Sequence, residues 1–408
     1  MPNLRSIFTW SQSNVFLISR TMSTMAAGAL ALLYSRELGI ENRAIIGFVL
    51  TTAVTLLLIF SAGFALTFRQ LAGRPNYQEN EISLVAFLSL IASILASIFM
   101  AISLSIYSQY KSQVPAHLFY AAIIYSFFAC LDYSCFNILV GINRIRTAGI
   151  LEFSSILVQI FLYFFLSRNH LFSFAMSLLI AIISAYALTF LVTFKIIAKK
   201  LSLSDLQNEN LRREFYLLSR HNYYYSLISG LTDKSDKLII AWLLPLAIFS
   251  KYSVLAGLIG YLRFLPDAMA TLLVASKKLP FFALINNFQK ITLLFGLIFY
   301  GSMGIASYHF VNIWFGNTWS LPIEIALLLA FQELLRAIYQ LTTNQLIRLG
   351  ANLENSKVSS LFLASNLSFT LLGARFFNLR GIILGQICSY LTAIYITRKL
   401  LQEVRLGD

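Results

Sequence analysis

The sequence predicts an all-α membrane protein that crosses the bilayer about twelve times, in two lobes of six helices. Hydrophobic residues make up 58% of the 408 residues and charged residues only 12%, about half the charged share of a soluble domain. Long apolar stretches recur along the whole chain, and Lys and Arg are concentrated in alternate loops between them. A bilayer core about 30 Å thick requires roughly 20 apolar residues per helix, so these stretches are long enough to cross it.

Twelve apolar stretches are the predicted crossings, numbered in chain order. They cover residues 12–34, 44–66, 82–106, 117–141, 147–166, 171–194, 222–244, 246–275, 291–310, 322–346, 358–377 and 381–397. Ala29–Ala31 in the first stretch resembles a signal-peptide cleavage site, but Arg20 interrupts the apolar region and eleven further stretches follow. We therefore expect insertion without cleavage.

The position of the positive charge predicts the orientation. If the amino terminus is cytoplasmic, the cytoplasmic loops contain nineteen Lys and Arg residues and the opposite loops contain seven. This bias follows the positive-inside rule and places both termini in the cytoplasm. The net charge of +14 is then a consequence of topology, and we expect no nucleic-acid partner.

The chain is predicted to consist of two lobes joined by a cytoplasmic linker. The lobes cover 1–194 and 222–408, and the polar segment 195–221 between them is either an amphipathic surface helix or a solvated linker. Ile145–Glu152 and Ile347–Glu354 are similar segments, 202 residues apart, that follow crossings 4 and 10. Six crossings per lobe give both lobes the same orientation, an arrangement known for transporters.

The seventh crossing is the most polar. Ser226, Ser229, Asp233 and Asp236 share one helical face, and the next turns add Lys234 and Lys237, of which the latter can pair with Asp233. An ionisable side chain in mid-bilayer requires about 2.5–3.5 kcal/mol on insertion scales. These residues either line a wet cavity or only neutralise one another.

Other ionisable residues within crossings are further candidates for substrate binding, coupling or gating. Crossing 8 contains Arg263 and Asp267 beside Pro266, which kinks the helix and predicts either a moving gate or a static bend. The remaining candidates are Arg20 in crossing 1, Asp132 in crossing 4, Glu152 in crossing 5, and Glu333 and Arg336 in crossing 10. Asp132 and Glu152 are either proton-coupling groups or partners of Arg20. Arg20 itself either binds an anionic ligand or extends to the membrane interface.

A polar face also follows Glu152 along crossing 5, at Ser155, Gln159 and Tyr163. No soluble-enzyme motif is present: the sequence lacks a P-loop, a dinucleotide-binding glycine motif, H-E-x-x-H and G-x-S-x-G. The four histidines have no metal-ligand spacing, and the three cysteines fall within crossings, where they are predicted to pack. We expect no catalytic residue, metal or cofactor.

Two pairs of short segments resemble the Wzx-type polysaccharide flippases of the multidrug/oligosaccharidyl-lipid/polysaccharide (MOP) exporter superfamily. They are Ser35–Gly39 with Gly47 in the first half, and Ser235–Ile240 with Ser250–Ser253 in the second. The resemblance extends over the whole chain and implies a MATE-like fold in the bacterial inner membrane. It implies a flippase for an undecaprenyl-diphosphate-linked oligosaccharide, such as an O-antigen or capsule repeat unit of lipopolysaccharide and related polymers.

The resemblance, combined with the polar residues, gives a predicted mechanism. The two lobes rock in alternating access, and a hydrated chamber between them gathers the charges of crossings 1, 7 and 8. Arg20, Lys234, Lys237 and Arg263 attract the diphosphate, while Asp233, Asp236 and Asp267 hold these cations in place. The expected partners are the lipid-linked oligosaccharide, membrane lipids, and the polymerase and chain-length proteins of the same pathway.

Three other functions stay open at this point. A cation-coupled multidrug exporter of the same superfamily would place carboxylates in its cavity and take a cationic substrate. An O-antigen-polymerase-like enzyme usually has a long periplasmic loop, whereas the longest loop here is cytoplasmic by its charge. A major-facilitator transporter is disfavoured because Arg69–Glu81 lacks the signature expected between its second and third crossings.

Overall fold

The computed structural model describes residues 4–61, 63–65, 67–68, 81–111, 113–202, 209–263, 281–348 and 351–406. Within these ranges the secondary structure is helical throughout, so the predicted all-α class is confirmed. The long helices are α1 (Leu4–Phe60), α2 (Glu81–Tyr110), α3 (Ala116–Gly141), α4 (Ile145–Arg168), α5 (Phe174–Ile197), α6 (Glu209–Leu243), α7 (Leu246–Gly260), α8 (Phe281–Phe315), α9 (Ile323–Arg348) and α10 (Asn352–Leu406).

The chain divides into two compact units, Met1–Gly230 and Leu231–Asp408, called unit 1 and unit 2. Among the described residues, seven helices are long and apolar enough to cross a membrane. The chain is therefore a multi-pass membrane protein. The count of twelve crossings, the lobe boundaries at 194 and 222, the inner membrane and the cytoplasmic termini stay predictions.

Two of the long helices bend between predicted crossings. Gly39, with φ 70°, interrupts α1 between crossings 1 and 2, and Asn378, with φ 51°, interrupts α10 between crossings 11 and 12. Glycine adopts positive φ without a steric penalty, and asparagine is among the side chains that tolerate it best. The bends fall in the short gaps that the hydropathy pattern leaves at 35–43 and 378–380.

Other helices begin at residues that suit a helix start. Pro115 precedes α3 and Pro245 precedes α7, consistent with the fixed backbone angle of proline at helix entries. Ser173 caps α5, because its hydroxyl accepts a hydrogen bond from the Met176 amide at 3.3 Å. Inside the helices, serine hydroxyls bond back to the main chain, as Ser89 does to the Val85 carbonyl at 2.6 Å.

Each unit has its own apolar packing. In unit 1, α1 packs against α4, and α3 packs between α2 and α5, with a buried cluster of Phe68, Ile82, Leu84, Val85, Ile138, Ile197 and Phe215. In unit 2, α9 packs against both α8 and α10. There Gly373 and Gly381 bring the two arms of α10 into backbone contact, since a Cβ on Gly381 would lie 1.9 Å from the Gly373 carbonyl oxygen.

The two similar segments lie near helix starts. Ile145–Glu152 forms the beginning of α4. Ile347–Glu354 includes the end of α9 at Arg348 and the beginning of α10 at Asn352. The similarity between the two halves stays a prediction.

Candidate functional site

Arg20 lies on α1 in unit 1, held beside two aromatic rings. Its Cζ atom is 5.9 Å from the centre of the Phe16 ring and 5.8 Å from that of Phe136 on α3. The two rings are themselves 6.2 Å apart. A guanidinium near an aromatic face is attracted to the ring's electrons. Because the side chain is nevertheless exposed, the cation is both positioned and accessible.

Two carboxylates from neighbouring helices belong to the same cluster. Glu152 on α4 is within electrostatic range of Arg20, and Asp132 on α3 is within electrostatic range of Glu152. The Thr189 hydroxyl on α5 donates to the Ala185 carbonyl at 3.1 Å and lies within interaction range of Asp132. Three helices of unit 1 thus contribute to a group of two acids and one base. It is called the Arg20 cluster below and consists of Arg20, Asp132 and Glu152.

A glycine allows this close approach of α4 to α1. Gly149 lies one turn before Glu152, and a Cβ at this position would be 3.2 Å from the Phe16 Cα and 3.4 Å from the Ser19 Cβ. Small residues let membrane helices approach closely. The sequence therefore places Glu152 next to Arg20 by leaving out a side chain one turn earlier.

The predicted polar face of α4 is buried beyond Glu152. Ser155, Gln159 and Tyr163 are all buried, and the Gln159 amide donates to the Ser155 hydroxyl at 3.4 Å. Tyr163, which is 0% exposed, donates its hydroxyl hydrogen bond to the Glu37 carboxylate on α1. The face is therefore occupied by contacts within unit 1.

Three more tyrosines of unit 1 are neighbours of these groups. Tyr34 on α1 is within electrostatic range of Tyr163 and of Tyr125 on α3. The rings of Tyr125 and Tyr186 on α5 stack with centres 6.2 Å apart. Both of these tyrosines are within electrostatic range of Asp132. These tyrosines therefore bring polar groups of α1, α3 and α5 near Asp132.

The bend of α1 contains a buried arginine. Arg43 is 7% exposed, its Nε donates to the Ser35 hydroxyl at 2.8 Å, and its Cζ lies 5.3 Å from the centre of the Tyr34 ring. Ser35 in turn donates to the Ala31 carbonyl at 2.5 Å. The Ser35–Gly39 segment that carries the resemblance thus anchors both sides of the bend at Gly39.

In unit 2 the described polar contacts centre on α6. Asp236 is 6% exposed and accepts a hydrogen bond from the Tyr252 hydroxyl of α7 at 2.5 Å. The neighbouring Ser235 donates to the amide oxygen of Asn366 on α10 at 2.9 Å, and Thr370 donates to the same oxygen at 3.4 Å. Both of the unit 2 segments that carry the resemblance therefore take part, Ser235–Ile240 through Asp236 and Ser250–Ser253 through Tyr252.

The other predicted residues lie on α6 and α9 or outside the described part of the chain. Lys234 and Lys237 are half-buried on α6, Glu333 is buried on α9 and Arg336 is half-buried there. The side chains of Asp233 and Arg263, and the whole of Asp267, lie outside the described residues. Among the residues whose positions are given, no group of three or more His, Cys, Asp and Glu side chains could hold a metal ion.

Three of the tyrosines and the role of Arg43 could not be predicted from the sequence. Tyr34, Tyr125 and Tyr186 lie within apolar stretches, where an aromatic side chain is usually packing or interfacial. Arg43 was counted as a loop residue because it falls between crossings 1 and 2. The one sequence feature that points to its contact with Ser35 is that the two residues are eight positions apart, with Gly39 between them.

Comparison with known proteins identifies the fold. No protein-family model and no curated protein sequence matches the chain. Among solved structures, the lipid II flippase MurJ in an inward closed conformation is similar with a TM-score of 0.74 and 14% identity, over 95% of this chain and 87% of that chain.

Two multidrug transporters have the same fold. An inward-facing MATE family transporter of the MOP superfamily is similar with a TM-score of 0.68 and 13% identity, over 95% of this chain and 96% of that one. The Vibrio cholerae MATE transporter VcmN gives a TM-score of 0.59 and 16% identity, over 97% and 96%. The chain thus has the MOP/MATE fold, which is shared by transporters and a flippase.

Proposed function

We propose that this protein is a flippase that moves an undecaprenyl-diphosphate-linked oligosaccharide, such as an O-antigen or capsule repeat unit, across the bacterial inner membrane by alternating access. The observation that carries the proposal is Arg20, an exposed cation held by two aromatic rings in the first helix of a MOP fold. The fold adds support because a lipid II flippase shares it over 95% of this chain.

Arg20 has the chemistry that a diphosphate head group requires. Its planar guanidinium can donate two parallel hydrogen bonds to phosphate oxygens, and such charge-assisted bonds are about twice as strong as neutral ones. Phe16 and Phe136 hold the guanidinium before the ligand arrives, which lowers the ordering entropy of binding. Glu152 serves as the counter-charge of the empty site, while the polyprenyl tail stays in the bilayer.

The polar residues of unit 2 are assigned different roles in this proposal. Lys234 and Lys237 supply further positive charge on α6, and Arg263, Asp233 and Asp267 are additional candidates for substrate binding. Asp236 is assigned to positioning rather than to substrate contact, because Tyr252 already occupies one of its oxygens. Glu333 and Arg336 are retained as gating candidates on α9.

The test is lipid translocation by the purified protein in proteoliposomes. The substrate is an undecaprenyl-diphosphate oligosaccharide with a fluorescent label, and the assay follows how fast it becomes accessible to a reagent outside the vesicles. Arg20→Ala should reduce the rate about tenfold or more, since hydrogen bonds to charged groups contribute about 1.5–3 kcal/mol. Arg20→Lys should retain part of the rate because it keeps the charge without the planar fork.

Arg168→Ala is the matched control, because Arg168 is an exposed arginine at the other end of α4, sixteen residues after Glu152 and so about 24 Å along the helix. Its rate should equal that of the wild type. Equal rates in wild type and Arg20→Ala would remove Arg20 from the mechanism. Absence of translocation by the wild-type protein would contradict the flippase function itself.

A second candidate function is a cation-coupled multidrug exporter. The observation that favours it is the pair of carboxylates in unit 1, Asp132 and Glu152, since such acids suit a cationic substrate or a coupling cation. A drug-susceptibility assay of cells producing the protein separates the two. Increased resistance without any effect on surface glycan would favour the exporter, and the reverse would favour the flippase.

The partners and the pathway follow from the flippase proposal. Single untranslocated repeat units should accumulate on the cytoplasmic leaflet of cells that lack the protein. Mass analysis of the lipid-linked intermediates would identify the glycan. The polymerase and chain-length proteins that would use the product in the periplasm are proposed as pathway partners on the same basis.

A further inference from the structure

The start of α6, before it enters predicted crossing 7, packs one of its faces against unit 1. Phe215 belongs to the buried apolar cluster of this unit, and the Asn222 amide donates to the Thr67 hydroxyl at 2.9 Å. Gly63 permits a close approach, since a Cβ at this position would lie 2.5 Å from the Tyr223 Cβ. These contacts fix the rotation of the helix about its axis, so the fold determines which of its side chains point outward.

The opposite face combines arginines with large aromatic and apolar side chains. Residues three, four, seven and eleven positions apart share one face of a helix, and five exposed side chains of α6 have this spacing. Tyr216, Leu217 and Tyr224 are 69%, 56% and 49% exposed, and Arg213 and Arg220 are exposed as well. This set is called the α6 stripe and consists of Arg213, Tyr216, Leu217, Arg220 and Tyr224.

The end of α5 adds positive charge to the same region of unit 1. Ile197 on α5 is part of the apolar cluster that contains Phe215, so the end of α5 and the start of α6 meet at one site. Lys195 and Lys199, two residues before and after Ile197, are exposed. The segment 195–224 contains six Lys and Arg residues against three Asp and Glu residues. The exposed surface here is therefore cationic.

We propose that the α6 stripe binds the phosphate head groups of anionic phospholipids such as phosphatidylglycerol. The leaflet is the one on the side of the Lys- and Arg-rich loops, which the charge bias predicts to be cytoplasmic. Each guanidinium donates paired hydrogen bonds to phosphate oxygens, while the tyrosine rings and the leucine lie among the glycerol groups and the upper parts of the acyl chains. This binding does not depend on which substrate the protein transports.

The position of the stripe favours a lipid over a soluble anion. Arg220 lies two residues before predicted crossing 7 begins, and Thr67, which contacts α6, directly follows predicted crossing 2. The stripe is thus next to the expected membrane boundary. A soluble phosphate would leave Tyr216 and Leu217 in water, whereas exposed apolar groups beside cations are typical of a membrane-binding surface. Lys and Arg clusters next to a crossing attract anionic lipids.

The experiment measures lipid binding by the full-length protein in detergent. The probes are a fluorescent phosphatidylglycerol and the phosphatidylcholine with the same acyl chains. The wild type should prefer the anionic lipid, and the preference should decrease at high salt because charges make the contact. The double variant Arg213→Gln/Arg220→Gln should bind phosphatidylglycerol about twenty- to thirtyfold more weakly, since each basic residue near a membrane surface contributes about fivefold. Its affinity for phosphatidylcholine should not change.

The matched control is the double variant Arg168→Gln/Arg375→Gln. It removes the same charge from two exposed arginines of other helices, at the end of α4 and in the middle of α10. Its affinity for phosphatidylglycerol should equal that of the wild type. Leu217→Ser tests the apolar part of the stripe, because it removes no charge and should weaken binding of both lipids. Unfolding midpoints equal to that of the wild type establish that the variants fold.

Three outcomes would overturn the proposal. The first is an unchanged affinity for phosphatidylglycerol in the Arg213/Arg220 variant, or an equal loss in the Arg168/Arg375 variant. The second is full competition by free glycerol phosphate, which would indicate a site for soluble anions. The third is that the Arg213/Arg220 variant loses binding of labelled undecaprenyl diphosphate but keeps phosphatidylglycerol, which would assign the surface to the substrate.

The result is independent of the flippase assay. Loss of phosphatidylglycerol binding in the Arg213/Arg220 variant alone supports the lipid site, even if the wild type moves no diphosphate lipid in proteoliposomes. Conversely, translocation by a protein without any preference for anionic lipid would remove the lipid site and leave the flippase function in place.

Discussion

The two units bury different kinds of polar group. Unit 1 contains the three ionisable side chains of the Arg20 cluster and four neighbouring tyrosines. Arg20 is exposed, although the rings of Phe16 and Phe136 hold it in place. In the described part of unit 2 around α6, α7 and α10, the buried Asp236 carboxylate accepts a hydrogen bond from Tyr252. Beside it, uncharged side chains form hydrogen bonds to the amide of Asn366. Its two α10 arms also meet at the backbones of Gly373 and Gly381.

From this difference we infer that the polar network of unit 2 contributes mainly to stability and the Arg20 cluster of unit 1 mainly to transport. Buried hydrogen bonds and close backbone contacts contribute to folding, whereas an exposed cation contributes little to it. We therefore expect substitutions in the unit 2 network to lower stability. Substitutions in the Arg20 cluster should lower transport and leave stability nearly unchanged. Four substitutions, at Gly381, Asp236, Arg20 and Glu324, should differ in effect accordingly, from the largest to the smallest.

The largest effect is expected at the contact between the arms of α10. A Cβ on Gly381 would lie 1.9 Å from the Gly373 oxygen and 2.4 Å from its carbonyl carbon, so Gly381→Ala must displace the backbone. We expect a loss of about 3 kcal/mol or more, measured as the thermal unfolding midpoint in detergent. Gly301→Ala on α8 is the control, because nothing lies within 4 Å of its Cβ position. A Gly381 variant as stable as the control would show that the arms separate easily.

The next effect is expected at Asp236. Asp236→Ala leaves the buried Tyr252 hydroxyl without its acceptor, which should lower stability by about 1–3 kcal/mol. Asp236→Asn keeps an acceptor oxygen and removes the charge, so it should be more stable than the Ala variant in the same unfolding assay. If Asn proves as damaging as Ala, the charge itself matters and Asp236 belongs with the ionic groups of unit 1.

The positions of the polar residues along each helix could be predicted from the sequence, but their contacts with other helices could not. Hydropathy located the gaps between crossings in which the two bends fall, around Gly39 and Asn378. Helical spacing found the polar face of α4 and singled out Arg20, Asp132 and Glu152. These signals are local, since a period of 3.6 residues describes one helix at a time.

What the sequence did not reveal depends on contacts between helices. The partnership of Arg20 with Glu152 requires the close approach at Gly149, which no single-helix pattern contains. Asp236 is on the polar face predicted for crossing 7, yet it is buried against Tyr252, because tertiary contacts decide whether a polar face meets water. The Tyr34, Tyr125 and Tyr186 series combines three helices, and each tyrosine taken alone is an ordinary membrane aromatic.

A smaller effect on stability is expected at Arg20. Arg20→Ala removes two contacts with aromatic rings, and such contacts contribute about 0.5–1 kcal/mol at exposed sites. The same variant should lose most of its lipid translocation. Parallel measurement of the unfolding midpoint and the translocation rate therefore checks the division of labour in one protein. A large loss of stability would indicate that Arg20 is a structural residue and would break the contrast between the units.

The smallest effect is expected at the exposed ion pair of unit 2. Glu324 at the start of α9 pairs with Arg380 just after the bend of α10, and their side chains are 48% and 59% exposed. Exposed pairs are screened by water and salt, so Glu324→Gln should lower stability by only a few tenths of a kcal/mol, and less at high salt. The unfolding midpoint at low and high salt tests this. A loss comparable with that of Asp236→Ala would mean that charge also holds unit 2 together, because the pair would then fix the bend at Asn378.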